Sequence, residues 1–270
     1  MASSFLLSLT AIAALIPAAI APTASAGSSA KDEGGLFWWL LGVAIAGPAL
    51  WLAVEFGTSW RTGLAPALWL IILASLLLFA GFAAFLPVAR RLTTPLFGYL
   101  ILLGALAVVY QQAPERPLAG NPPPAWLQAH ILVSIAAFGL LTLAAVAGFA
   151  VVLQERALKR KRPSSLARQL PSVADGEALQ VRLLVASEFV LAAALVTGMT
   201  IDWIEYRAVL RFDHKTVLSL LTFAGIAVVL FLHHRSGLRG RRAARYILVA
   251  YLMLTLAYPG VKFVTDVLIG

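Results

Sequence analysis

Asp202 to Arg245 reads DWIEYRAVLRFDHKTVLSLLTFAGIAVVLFLHHRSGLRGRRAAR. This stretch decides the fold. A polar connector ends at His214, an apolar run of helical length follows, and His233-His234 close it. Five arginines then fall within the eleven residues from Arg235 to Arg245. About 20 apolar residues in a helix are enough to cross hydrocarbon. Lipid offers no partner to an open backbone, so helix is the form such a run takes. The arginine cluster marks the end that stays in the cytoplasm. His214 therefore belongs to the opposite, outer end.

The rest of the chain follows the same pattern. Of its 270 residues, 61% are hydrophobic and 12% charged, about half the charge of a soluble domain. The net charge of +9 comes from basic residues set beside apolar runs. That placement reads as membrane topology and not as a nucleic-acid surface. There are no cysteines, which excludes disulfides, thiol redox chemistry and thiolate metal sites. No phosphate-binding glycine loop, HExxH or serine nucleophile elbow is present.

Eight apolar segments stand out, at roughly 4–25, 36–56, 65–88, 93–112, 126–153, 183–201, 214–234 and 246–268. The first, followed by Ala24-Ser25-Ala26, has the outline of a signal peptide, but no Lys or Arg precedes it. Parity argues for counting it as a span. With eight spans and an outer N-terminus, 15 Lys and Arg fall in inner loops and 5 in outer ones, while Lys262 lies within the eighth segment. Removing the first segment reverses that bias. The expected fold is thus an all-α bundle of eight spans with both termini outside. Residues 1–125 form an N-terminal four-span half and residues 126–270 a C-terminal one. The outer loop 111–125 is proline-rich, and Ala174–Arg182 is expected as a short inner surface helix.

His130 opens the fifth segment and His214 the seventh, and both segments run from outside to inside. The two imidazoles thus share one depth, near the outer surface. Two neutral imidazoles on neighbouring helices can ligate one haem iron from both faces. Each also reads singly as an interfacial residue bonded to a carbonyl or water. Small residues on the fifth segment (Ser134, Ala137, Ala144, Gly148) permit close helix approach or leave room for a flat ligand. Arg207, Arg211 and Lys215 flank His214 and can pair with haem propionates or with lipid phosphate. Glu55, Glu188, Lys262 and Asp266 are ionisable groups in or near apolar runs, where such groups are costly. Pro259 is expected to kink the last segment.

From Trp126 to Gly270 the chain resembles the cytochrome c assembly membrane proteins (CcsA/CcmC-like), most closely their HemX-like branch. The resemblance is carried by His130-Ile131-xx-Ser134, Gln154-Glu155-Arg156-Ala157-Leu158-Lys159 and Asp213-His214-Lys215-Thr216-Val217-Leu218-Ser219. It continues in Gly237-Leu238-Arg239-Gly240-Arg241-Arg242 and Leu256-Ala257-Tyr258-Pro259-Gly260-Val261-Lys262-Phe263-Val264. The N-terminal half matches in hydropathy alone. The resemblance implies a multi-pass protein of the bacterial cytoplasmic membrane that handles haem at the outer face in support of cytochrome c maturation. It implies haem and the maturation proteins as partners, non-covalent b-type haem as cofactor, and no covalent chemistry of its own. In the wider family, histidines flanking an outer tryptophan-rich motif ligate haem, and His130 and His214 occupy similar positions. The tryptophan-rich motif itself is reduced here to Trp203, Asp213 and Lys215. That departure bears on transfer to apocytochrome more than on haem binding. A reading from another class is a haem-free transporter or regulator of transport, in which Glu188, Lys262 and Asp266 carry the function.

Overall fold

The computed structural model describes residues 2–24, 30–57, 63–113, 124–161, 164–209, 211 and 213–264, with backbone alone at 2–3, 22–24, 30–33 and 124. Most of the proline-rich loop, Ser25-Ala26 and Asp266 lie outside them. The described residues form helices and no strand. Four helices make up the N-terminal half: α1 (Ala2–Ala24), α2 (Ala30–Phe56), α3 (Leu64–Phe85) and α4 (Thr93–Val109). A 3-10 helix, Pro87–Leu92, leads into α4. The C-terminal half contains α5 (Pro124–Lys159), the short α6 (Ser165–Gln169), α7 (Val173–Tyr206), α8 (His214–Ser236) and α9 (Gly240–Thr255). Eight helices are long and apolar enough to cross a membrane, α4 counted with the 3-10 helix before it (Pro87–Val109) and α9 with the turns after it (Gly240–Phe263), so the eight expected spans are present.

Two of them are much longer than a bilayer requires. With 36 and 34 residues, α5 and α7 each extend about 50 Å, against ~30 Å of hydrocarbon. The excess corrects one expectation. Ala174–Arg182 is no separate surface helix but the first turns of α7. Ser172 caps that helix, accepting from the Asp175 amide at 3.2 Å, and no proline interrupts it before Tyr206. The charged first turns therefore continue into the span without a break.

The centre of the molecule is α5, which is buried on every side from Ala137 to Gly148. Its alanines and glycines let three neighbours, α7, α9 and α3, approach closely. At Gly139 a Cβ would stand 2.8 Å from Leu78 Cδ1 and 3.4 Å from the Ser75 amide of α3. In the first half, α1 packs on α2 and α4, and α3 on α2 and α4. The indoles of Trp51 and Trp69 stack there at 5.5 Å. The contact of α3 with α5 joins the halves, and one continuous apolar core runs through both.

The basic clusters converge on one end of the bundle. There Arg90 lies over the rings of Phe37 and Trp38 and donates to the Ala83 carbonyl. Thr94 donates to Gln169 of α6, and the foot of α5 meets the head of α9. In this part of the chain Gly237, at φ +66°, ends α8 in the left-handed conformation that glycine adopts without strain. At Pro259 α9 passes into a π-helical turn from Leu256 to Gly260 before its last helical turn. A proline lacks the N–H that the regular ladder needs, and the wider turn accommodates the loss.

Candidate functional site

At the end opposite the basic clusters, α5, α7 and α8 diverge around a cavity of about 350 Å³, with the π turn after α9 forming part of its wall. This volume lies within the range of small-molecule sites. The wall is mainly apolar, and Phe138, Leu191 and Leu195 are typical of it. The polar groups are few: His130 and Ser134 from α5, Asp202 from α7, Asp213, Lys215, Thr216 and Ser219 around the start of α8, and Tyr258 from the π turn.

His130 is held in a defined state. Its Nδ1 lies 3.0 Å from Thr197 Oγ1 on α7. The Thr197 hydroxyl has one proton, and main-chain carbonyls compete for it, that of Ala193 at 2.9 Å and that of Ala194 at 3.0 Å. Its oxygen is therefore free to accept, an arrangement that favours the tautomer with Nδ1–H as donor, and the Ala194 carbonyl is a second acceptor for the ring. The neutral imidazole then has its lone pair on Nε2, the arrangement common to metal-ligating histidines. Gly198 makes room for the ring, since a Cβ there would come within 3.1 Å of His130 Cε1.

The rim of the cavity is a balanced set of charges. Asp213 caps α8, its Oδ1 accepting from the Thr216 amide at 2.8 Å. Burial pushes the Asp213 carboxyl up, but hydrogen bonds from Thr216 and the charges of Lys215 and His214 outweigh it. The group is held below the usual carboxylate range. Asp202 lies in the field of Arg211, Asp213, Glu205 and His130. Arg211 also stacks on the Tyr206 ring at 4.0 Å. Arg207 ends α7 in a left-handed conformation, φ +55°, with its amide bonded to the Trp203 carbonyl. Its side chain is exposed.

Of the residues singled out in the sequence, the structure brings His130 and Lys215 to the cavity wall. His214, Arg207 and Arg211 stand at the same end but do not line it. His214 is exposed at the first position of α8. Thr216 and Ser219, three apart, mark the cavity-facing side of that helix, and a residue two before Thr216 is turned ~200° away. His233 and His234 are at the far end, each with Nδ1 donating to a main-chain carbonyl, of Leu238 and Leu230 respectively. Among the described residues, no three His, Asp or Glu side chains gather to hold a free metal ion. Sequence reasoning missed Thr197 and Gly198. The one available signal was a Thr-Gly pair one turn before Asp202.

These features define a multi-pass helical membrane protein with a ligand-sized cavity at one end of the bundle. Residues 33–269 match the family model described as Cytochrome C assembly protein, and the chain belongs to that family, in its HemX-like branch. The match reaches well into the half that resembled the family in hydropathy alone. The chain is 49% identical, over the full length of both, to the "Uncharacterized 28.8 kDa protein in nifR3-like 5'region" of Azospirillum brasilense. It is 22% identical to "Protein HemX" of Brevibacillus brevis over 61% of this chain and 60% of the relative. Family membership points to a role in cytochrome c maturation.

Proposed function

We propose that this protein binds haem in the cavity between α5, α7 and α8 and, in that capacity, assists cytochrome c maturation at the outer face of a bacterial cytoplasmic membrane. The observation that carries the reading is His130, an imidazole in a mainly apolar wall whose Nδ1 lies 3.0 Å from Thr197 Oγ1, a contact that leaves Nε2 free to offer a lone pair. Haem supplies an iron that accepts such a nitrogen. The basic end of the bundle faces the cytoplasm in this reading, as the distribution of Lys and Arg favours. The protein acts as a carrier, with no covalent chemistry of its own.

Haem carboxylates belong at the rim, where Lys215 lines the cavity and Arg211 and Arg207 stand nearby. Lys215 and Arg211 already lie in the fields of Asp213 and Asp202. A dianionic ligand would compete with those aspartates for the rim cations. His214, at the same end on the first position of α8, would be the second histidine to hold haem in this reading, and it would require a shift of that first turn to come to the cavity.

The test is spectroscopic. Full-length protein purified in detergent and titrated with haemin should acquire a sharp Soret band, and His130→Ala should lose it. His214→Ala should convert a low-spin spectrum to high-spin. If the His214→Ala spectrum is unchanged, His214 is not a ligand. If the folded wild-type protein stays colourless, the haem reading fails altogether.

A further inference from the structure

Six residues of α7, namely Glu177, Leu184, Glu188, Leu191, Leu195 and Asp202, recur at spacings of seven, four, three, four and seven. Such spacings place them on one face of the helix. The outer part of this stripe, Leu191, Leu195 and Asp202, lines the cavity together with Thr216 and Ser219 of α8. The inner part, Glu177 and Leu184, lines a narrow crevice with Val229 and His233 of α8. Glu188 lies between the two parts and so faces α8, one helical turn below the deepest α7 residue of the cavity. Both of its carboxyl oxygens are buried, and neither has a hydrogen-bond partner among the described residues.

The elements packed against α7 supply no countercharge at that depth. From Ile131 to Leu153 of α5 and from Val217 to Leu232 of α8 there is no ionisable residue. Arg90 and Arg91, on the 3-10 helix that also touches α7, belong to the basic end. An ionised carboxylate without a partner is not sustained in hydrocarbon. A metal cation would require several oxygen ligands, and among the described residues no three His, Asp or Glu side chains gather to supply them. A proton satisfies the group without further ligands.

We propose that Glu188 is a proton-binding site within the membrane, set at the floor of the cavity and occupied in the resting protein. The proposal is independent of the haem reading. It places a titratable carboxyl where entry of a charged or hydrogen-bonding ligand into the cavity can alter its proton occupancy.

Dicyclohexylcarbodiimide, an apolar reagent, tests it on the full-length protein in membranes. The carboxyl proton passes to a reagent nitrogen and the carboxylate oxygen adds to the central carbon. Acyl migration then leaves a stable N-acylurea carrying the whole reagent. Fragment masses should locate this adduct at Glu188, with labelling that fades as the pH is raised. A water-soluble carbodiimide should leave Glu188 unmodified while reacting at the rim. Glu188→Gln should abolish the adduct, and because the wild-type fragment map is itself decisive, a poorly folding variant does not weaken the test. Absence of label at Glu188 at acidic and neutral pH, or equal labelling by the water-soluble reagent, overturns the proposal.

Discussion

Glu155 Oε1, at the foot of α5, accepts the main-chain N–H of Arg241, at the head of α9, over 3.1 Å. The first amides of a helix have no partner within the helix, and a carboxylate placed there also meets the positive end of the helix dipole. Glu155 thus supplies from another helix what an N-cap residue ordinarily supplies from the same chain turn. It does so because Gly240, at φ +60°, turns the chain beside it and has no Cβ to occupy the space. Two motifs far apart in the sequence, around Gln154–Lys159 and Gly237–Arg242, are therefore one junction.

The junction makes a ranked prediction. Gly240→Ala puts a methyl group into Glu155 Oε1 and forces a left-handed conformation on a residue that resists it, so it should be the most damaging change. A loss of about 2 kcal/mol or more is expected. Glu155→Ala should cost about 1 kcal/mol, and Glu155→Gln, which keeps an acceptor but not the charge, less than that. Thermal aggregation of the detergent-solubilised variants, followed by size-exclusion chromatography, gives the order. A Gly240→Ala protein as stable as wild type would show that the junction is loose.

The contact between the halves makes the second prediction. At Gly139 the nearest obstacle is Leu78 Cδ1, the tip of a flexible side chain, and the α3 backbone is farther off. Gly139→Ala should therefore be tolerated, with a cost near 1 kcal/mol. Gly139→Leu has no room and should separate α3 from α5, at about 3 kcal/mol or more. The same thermal assay, joined to protease sensitivity of the chain between α4 and α5, reports whether the halves come apart.

The cap on α8 makes the third prediction, which concerns pH. The folded-state pKa of Asp213 is depressed. Its contribution to stability is therefore complete above the unfolded-state pKa and is lost as pH falls through the folded one. Asparagine caps a helix about as well as aspartate but does not titrate. Wild-type protein should lose stability relative to Asp213→Asn as the solution is acidified below the carboxylate range, and the two curves should run parallel above it. Asp213→Ala, with no cap, should lie about 1 kcal/mol below wild type at neutral pH. Melting temperature against pH for the three proteins is the measurement.

The spans were legible in the sequence because lipid enforces length and apolarity on every crossing element, from Phe5 in α1 to Phe263 beyond α9. A break in the regular helix at Pro259, seen as the π-helical turn, was legible for a local reason, the missing N–H. His130 could be placed at the end opposite the basic clusters because the basic feet of α5 and α8 share one direction. What the sequence withheld was rotation about the helix axes. Depth is written in position along a span, but the face a residue presents depends on packing against neighbours. His214 and Thr216 share a depth and differ by about half a turn, and Thr216 faces the cavity. The partner of His130 was hidden for a similar reason. Thr197 lies 67 residues away, and only the close packing of α5 on α7 brings it to the imidazole.

Thr197 is accordingly the residue whose replacement best separates a ligand-ready histidine from an ordinary buried one. Thr197→Val keeps the shape and removes the oxygen that accepts from Nδ1–H, so the tautomer with its lone pair on Nε2 loses its support. Thr197→Ser restores the oxygen with one methyl group fewer. Loss of such an outer-shell partner commonly weakens metal binding ~10–100-fold. Haemin titration should give Thr197→Val a dissociation constant raised within that range and a displaced Soret maximum, with Thr197→Ser near wild type. Nitrogen-15 spectra of histidine-labelled protein without haem supply a second reading, since Thr197→Val should shift the His130 resonances toward a mixture of tautomers. A valine variant that matches wild type in both measurements would mean that the Thr197 hydroxyl does not govern the state of His130.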